Sequence, residues 1–195
     1  MALPKYDKSK RRKTYKQLPI GAYVLEIKSA KEDPNKSGNG THLKIAFDIA
    51  EGEYKDFYME QWNNSTSEDK RWPLDAIYYL SVPHSGSQSF VEESWNTFFA
   101  DLEDSNNGFV FSGDLKTLKG KLIGGKFRNE QSEYNGNIYD HIRLAYTCVA
   151  DDVRSGNYGS LPKDKLIAPS APAMQTSPEG FIDIPDSIED EVPFL

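Results

Sequence analysis

Apolar residues recur at every second position in several stretches of this chain, and that period restricts it to folds built mainly from β-strands. The alternation is clearest where Leu43, Ile45, Phe47 and Ile49 are separated by polar or small residues. Five strands are predicted from the pattern, one beginning at residue 18 and the others over residues 43–49, 54–62, 119–128 and 138–148. Each is expected to bury one face.

One helix is predicted between the third and fourth strands. Ser89 and Glu92 match a capping box, in which two side chains satisfy backbone N–H groups at the start of a helix. An apolar stripe with helical spacing follows, formed by Val91, Trp95, Phe98, Phe99 and Leu102. Residues 63–88 are predicted to be an insertion containing a hairpin, in which residues 77–80 have the composition of a short strand.

The order of three strands, a helix and two strands matches an all-β fold with one helix, the five-stranded Greek-key barrel of the OB type. Other small β-rich folds fit the same order, so the pattern leaves them open. The predicted organisation is a basic arm over residues 1–17, an OB-fold domain over 18–160, a linker over 161–181 and an acidic tail over 182–195.

Charge is distributed unevenly along the chain. Residues 1–17 contain seven Lys and Arg against one Asp, whereas residues 168–195 contain six acids and no basic residue. The first 167 residues together carry 23 basic and 24 acidic side chains, from which we expect a nearly neutral body between oppositely charged ends. The arm fits either a sequence-independent phosphate-binding segment or a disordered tail.

The sequence contains little that suggests catalysis. Cys148 is the single cysteine, which excludes an internal disulfide and a cysteine-cluster metal site. The three histidines are far apart, and the glycine-rich stretch at residues 120–126 lacks the spacing of a phosphate-binding loop. No apolar run is long enough to span a membrane, and the N-terminus lacks the apolar core of a signal peptide. We expect a soluble cytoplasmic protein that is not an enzyme and uses no metal or cofactor.

Cations and aromatic rings share the polar faces of the predicted strands and the neighbouring loops. Single-stranded nucleic acid requires this combination, because cations follow the phosphates and flat rings stack on the bases. The candidate contacts are Lys28, Lys31, Lys36, Lys44, Tyr54, Tyr58, Trp62, Lys70, Arg71, Trp72, Lys126, Arg128, Tyr134, Tyr139 and Arg143. The alternative for each ring is packing in the core or in the insertion, and the loop with Lys31 and Lys36 fits a simple hairpin equally well.

Several short motifs occur in a characteristic order along most of the chain. They are Gly21-Ala22-Tyr23, the Ser37-Gly38 loop, Glu51-Gly52 with Tyr54, Trp95 and Phe98 with Glu103, Ser105 and Asn106, then Leu118-Lys119-Gly120-Lys121, and residues 153–158. In this order the chain resembles the single-stranded DNA-binding proteins of bacteriophages and prophages of Gram-positive bacteria. The resemblance implies sequence-independent binding of single-stranded DNA during phage replication or recombination, in the cytoplasm of a bacterial host.

The last residues have a second resemblance. Glu189, Asp190 and Glu191 precede Val192-Pro193-Phe194, much as the acidic termini of bacterial single-stranded DNA-binding proteins end in Ile-Pro-Phe. Leu195 is an additional residue, which moves the terminal carboxylate away from Phe194. The resemblance implies that this tail binds replication or recombination proteins such as a primase, helicase or polymerase.

Two other classes of function stay open on the sequence. A non-catalytic β-barrel that binds and inhibits a host protein would have no affinity for oligonucleotides. A magnesium-dependent nuclease would degrade them, although the sequence has no clustered acids in favour of that chemistry. The sequence does not determine the oligomeric state, the site size or the preference for DNA over RNA.

Overall fold

Five antiparallel strands form one open sheet that carries three short helices. The computed structural model describes residues 17–35 and 40–167, so the predicted arm, Lys36 and the acidic tail lie outside the described residues. The strands are β1 (Ala22–Pro34), β2 (Thr41–Ile49), β3 (Ile77–Ser81), β4 (Leu122–Tyr134) and β5 (Asn137–Cys148). The helices are α1 (Phe57–Asn64), α2 (Ser89–Asp104) and α3 (Ala150–Ser155), with 3₁₀ turns at Leu74–Ala76 and Leu115–Leu118.

The strands lie in the order β3-β2-β1-β4-β5. The predictions of four strands from apolar alternation are confirmed as β1, β2, β4 and β5. Their alternating residues form the core, in which Leu25, Phe47, Ile123 and Phe127 are almost completely buried. The result is a mostly β fold in which the apolar side chains of the sheet pack in one core with residues of α1 and α2.

The predicted third strand over residues 54–62 is wrong, because helix α1 occupies this region. The buried carboxylate of Asp48, at the end of β2, accepts hydrogen bonds from the backbone N–H groups of Tyr58 at 2.9 Å and Met59 at 3.0 Å. The N–H of Ile49 donates to the same carboxylate at 2.8 Å. Burial raises the pKa of Asp48, and these three donors oppose that shift. Asp48 therefore caps α1 from a distant position in the sequence.

Strand β3 lies inside the region that was predicted to be an insertion. It pairs with β2, placing Tyr78 opposite Ile45 and Leu80 opposite Leu43. The short strand is thus confirmed, but the surrounding hairpin insertion is wrong because residues 77–81 complete the main sheet.

Helix α2 is confirmed, and its buried residues are Phe98, Phe99 and Leu102. The predicted capping box is wrong, since the residue that precedes the helix is Gln88 and no side chain caps it. None of the helices in residues 17–35 and 40–167 is long and apolar enough to cross a membrane.

Strand β4 continues past Ala22, the first residue of β1, which pairs with Lys126. The bulge between Lys126 and Phe127 marks the point where the two strands separate. Beyond this point, Lys165 forms a β-bridge with Glu130 at the exposed edge of β4. The Lys165 N–H donates to the Asn129 carbonyl at 2.9 Å, and its carbonyl accepts from the Gln131 N–H at 2.9 Å. The first residues of the predicted linker are therefore attached to the sheet.

We expect Asp48→Ala to lower the free energy of unfolding by about 3 kcal/mol, because it leaves three backbone N–H groups without their acceptor. Asp48→Asn should have a smaller effect, since it retains one acceptor oxygen. Denaturant unfolding followed by circular dichroism measures both changes. Glu60→Ala, which removes an exposed acid from the same helix, is the control and should change stability by less than about 0.5 kcal/mol. Equal effects of Asp48→Ala and Glu60→Ala would contradict the capping role.

Candidate nucleic-acid interface

The edge strands β3 and β5 are not neighbours in the described sheet, and an open groove of about 540 Å³ lies between them. We call it the β3–β5 groove. Its lining residues are Leu74, Ile77, Tyr78, Tyr79, Arg128, Glu130, Arg143, Leu144, Ala145 and Lys165. Three of these residues are cations and one is an anion.

Tyr79 presents an aromatic ring at the wall of the groove. It is 49% exposed and lies opposite Lys44 in the pairing of β2 and β3. The Lys44 Nζ lies 5.9 Å from the centroid of the Tyr79 ring, and the His42 ring meets Tyr79 edge-on at 5.0 Å between centroids. Lys31 of β1 lies opposite Lys44 of β2, so a second lysine lies beside Lys44 on the sheet. The ring is held by its neighbours and still accessible, as stacking on a base requires.

Arg128 and Arg143 lie opposite each other on β4 and β5. The Nη2 atom of Arg128 donates to Oε1 of Glu130 at 2.6 Å, and the Nε atom of Arg143 donates to Oδ1 of Asp75 at 3.1 Å. Asp75 belongs to the turn directly before β3, so its ion pair with Arg143 connects the two edges of the open sheet. Nε is the only side-chain nitrogen of Arg143 that donates a hydrogen bond to another described residue. The two terminal nitrogens of Arg143 are therefore available to a phosphate.

The expected nearly neutral body is wrong. The described residues contain 15 Lys and Arg against 23 Asp and Glu, a net charge of −8. The positive charge that balances the first 167 residues therefore comes mainly from the N-terminal arm. Many of the acids lie away from the groove, on the turn before α1 and on the helices: Glu51, Glu53, Asp56, Glu60, Glu92, Glu93, Asp101, Glu103, Asp104, Asp151 and Asp152. This surface repels a polyanion, whereas the groove lining contains more cations than anions.

Three of the predicted stacking rings are packed in or against the core. Tyr58 is only 2% exposed, and burial raises its pKa far above the ordinary value. Trp72 packs against the core and donates its Nε1–H to the Phe47 carbonyl at 3.2 Å. Tyr54 packs edge-on against Tyr23 with 5.9 Å between ring centroids. Tyr58 cannot stack on a base without leaving its packing partners, so its assignment as a stacking platform is corrected. Trp72 and Tyr54 are partly exposed, and their assignment stays a prediction.

Trp62, Lys70 and Arg71 form a separate cluster at the end of α1. The Lys70 Nζ lies 5.3 Å from the Trp62 ring centroid, and Arg71 forms an exposed ion pair with Asp69. None of the three lines the β3–β5 groove. The cluster has the right chemistry for nucleic acid but is not part of the same surface.

Two of the predicted lysines already have protein partners. Lys28 forms an ion pair with Glu26 at 3.0 Å, and Lys126 donates to the Tyr158 carbonyl at 3.1 Å. These contacts reduce the ability of both lysines to neutralise a phosphate.

Tyr134 and Tyr139 lie at the exposed tip of the β4–β5 hairpin, beyond the groove. The turn between the strands consists of Asn135 and Gly136, which have positive φ angles of 51° and 73°. Two such residues favour the tight hairpin turn that matches the twist of the strands. Both rings are accessible to a ligand that extends along β5.

The sequence predictions did not include three residues of this region: Tyr79, Asp75 and Lys165. Tyr79 lies within the segment that the sequence predicts to be an insertion, although residues 77–80 have the composition of a strand. Asp75 and Lys165 reach the groove only through tertiary structure, one across the open edge and the other through the bridge to β4.

No known family model matches the chain, and no curated protein shows significant similarity to it. The described residues contain no group of three or more His, Cys, Asp or Glu side chains placed to hold a metal ion.

Cys148 is expected to react slowly with alkylating reagents. Burial raises the pKa of its thiol to about 11, so at pH 8 the thiolate fraction should be about a hundredfold below that of an unperturbed cysteine. The rate of iodoacetamide labelling, followed by mass spectrometry from pH 7 to 11, should still be rising above pH 10. The same measurement on free cysteine is the control. A plateau near pH 9 would show that the thiol is not perturbed.

Proposed function

We propose that this protein binds single-stranded DNA through the β3–β5 groove, without catalysis and without reading base sequence. The observation that carries the proposal is the exposed ring of Tyr79, which is flanked by Lys44 and lines the same groove as the arginine pair of β4 and β5. Phosphates would be attracted to Arg143, Arg128 and Lys165 while a base stacks on Tyr79. The acidic surface elsewhere supports a single path for the strand.

We propose in addition that the open sheet is a barrel of the OB type. Two observations support this assignment: the strand order, and the position of α2 between β3 and β4. OB-fold proteins bind oligonucleotides on the face of strands two and three and with the loops that join strands one to two and four to five. Lys44 and Tyr79 lie on the corresponding strands here, and Tyr134 lies next to the corresponding hairpin turn.

The groove favours a single strand over a duplex. A duplex hides the faces of its bases within the stack, so that Tyr79 would have nothing to stack on. Two of the three cations of the groove lie within ion pairs, Arg128 with Glu130 and Arg143 with Asp75, which limits the electrostatic contribution. Base stacking is therefore needed to reach useful affinity.

The resemblance to phage and prophage single-stranded DNA-binding proteins supports a role in phage replication or recombination. In this proposal the acidic tail, with Val192, Pro193 and Phe194 near its end, recruits proteins of replication or recombination. Binding of a host protein without any affinity for oligonucleotides would instead support the alternative of an inhibitory β-barrel.

We expect Tyr79→Ala to weaken binding of an oligothymidylate by about tenfold, because stacking on one ring contributes roughly 1–3 kcal/mol. Tyr79→Phe should retain the affinity. Phe90→Ala, which removes a comparably exposed ring from α2, is the matched control and should bind within twofold of the wild type. Fluorescence anisotropy of a labelled oligonucleotide measures all three, with a duplex of the same sequence as competitor.

Failure of the wild type to bind the oligonucleotide would overturn the proposed function. Equal losses in Tyr79→Ala and Phe90→Ala would show that binding does not occur in the β3–β5 groove. Progressive shortening of the oligonucleotide in the presence of Mg²⁺ would support a nuclease instead.

Deletion of residues 182–195 is expected to raise the affinity for single-stranded DNA at low salt. This segment carries five acids, Asp183, Asp186, Glu189, Asp190 and Glu191, which would compete with phosphates for the same cations. The difference from the full chain should shrink as salt is added, because both interactions are screened. An unchanged affinity at low salt would count against competition by the tail.

A further inference from the structure

A second pocket, of about 300 Å³, lies beside the β3–β5 groove between α1 and β5. Its lining residues are Gln17, Leu18, Phe57, Tyr58, Gln61, Asp75, Asp140, His141 and Ile142. We call it the Tyr58 pocket. Its wall combines apolar side chains with hydrogen-bonding groups, unlike the mostly acidic surface of the helices.

The hydroxyl of Tyr58 is buried and has no hydrogen-bond partner among the described residues. A buried hydroxyl without a partner is rare and costs free energy, because the donor has lost its contacts with water. The ring itself is fixed by edge-on packing against Phe47 and Phe57, with centroids 5.8 and 5.1 Å away. This packing fixes the position of the hydroxyl oxygen, so the hydroxyl would gain from an acceptor that reaches it through the pocket.

Asp75 supplies the complementary group. Its Oδ1 atom accepts from the Nε of Arg143 at 3.1 Å and lies 3.3 Å from the Nδ1 of His141. Its Oδ2 atom takes no hydrogen bond from the described residues. Asp75 is also close enough to Tyr58 to raise the pKa of that phenol, second to burial as a cause. The pocket thus contains a donor without an acceptor and, close to it, an acceptor without a donor.

An unpaired nucleobase has the matching arrangement. Each base presents a neighbouring acceptor and donor on its Watson–Crick edge: O4 and N3–H in thymine, N3 and N4–H in cytosine, N1 and N6–H in adenine, O6 and N1–H in guanine. These groups are occupied in a duplex and free in a single strand. A site with one donor and one acceptor would therefore distinguish single strands from duplexes without preferring one base.

We propose that the Tyr58 pocket receives one unstacked base of the bound strand and hydrogen-bonds its Watson–Crick edge through Tyr58 and Asp75. The inference rests on the proposed function and adds a base-edge contact to it. Asp75 joins the two sites, because it lines the pocket and pairs with Arg143 of the groove. A strand with a phosphate at Arg143 would have an adjacent nucleotide within reach of the pocket.

Tyr58→Phe tests this role without disturbing the fold, because it removes only a hydroxyl that has no partner among the described residues. Its thermal stability should equal or exceed that of the wild type. Its affinity for oligothymidylate should fall by about threefold to tenfold, the effect of one hydrogen bond. Tyr23→Phe is the matched control, because its hydroxyl donates to the Pro19 carbonyl at 2.8 Å. That variant should lose stability and keep its affinity within twofold.

An oligothymidylate methylated at N3 of every base provides the second arm. It keeps the backbone and the faces of the bases but blocks the Watson–Crick edge, so it should bind the wild type at least about threefold more weakly than the unmodified strand. Equal affinity of the wild type for both strands, or an unchanged affinity in Tyr58→Phe, would overturn the pocket and leave binding in the groove intact. A lower thermal stability of Tyr58→Phe would also overturn it, by showing that the hydroxyl already has a partner in the protein. Absence of binding to the unmodified strand would overturn the proposed function itself.

Discussion

Electrostatic repulsion is the constraint on which this account of the molecule depends. The described residues carry a net charge of −8, so a polyanion is disfavoured over most of the surface. Arg128, Arg143 and Lys165 converge at one place, the gap between β3 and β5, and Lys44 lies beside it. An open sheet makes that convergence possible, because a closed pairing of the two edge strands would fill the space.

Two aspartates in very different settings determine the geometry around this gap. Asp48 is fully buried and caps α1 through backbone N–H groups, which fixes the helix that carries Tyr58. Asp75 is partly exposed and links β5 to the turn before β3 through Arg143. One carboxylate therefore positions the wall of the Tyr58 pocket, and the other joins that pocket to the β3–β5 groove. The groove and the pocket would act together on one strand, through stacking in the first and edge contacts in the second.

Apolar alternation was sufficient to predict most of the sheet, and helical spacing was sufficient for α2. The sequence failed at α1, where Phe57 and Met59 alternate with Tyr58 and Glu60 as in a strand. The capping carboxylate of that helix comes from Asp48, ten residues before Tyr58, so no local signal marks the start of the helix. The bridge between Asp75 and Arg143 spans 68 residues and is equally invisible to local patterns. Residue type alone also could not separate the exposed ring of Tyr79 from the packed ring of Trp72.

The most direct test is to map the amides that respond to a single strand by NMR, using the full chain of 22 kDa and unlabelled oligothymidylate. We expect the largest chemical shift changes on β3 and on the β4 and β5 residues around Arg128 and Arg143. The amides of α2 and α3, which carry much of the acidic surface, should stay unchanged. Changes concentrated on those helices, or spread evenly over the molecule, would contradict a single basic path on an acidic body.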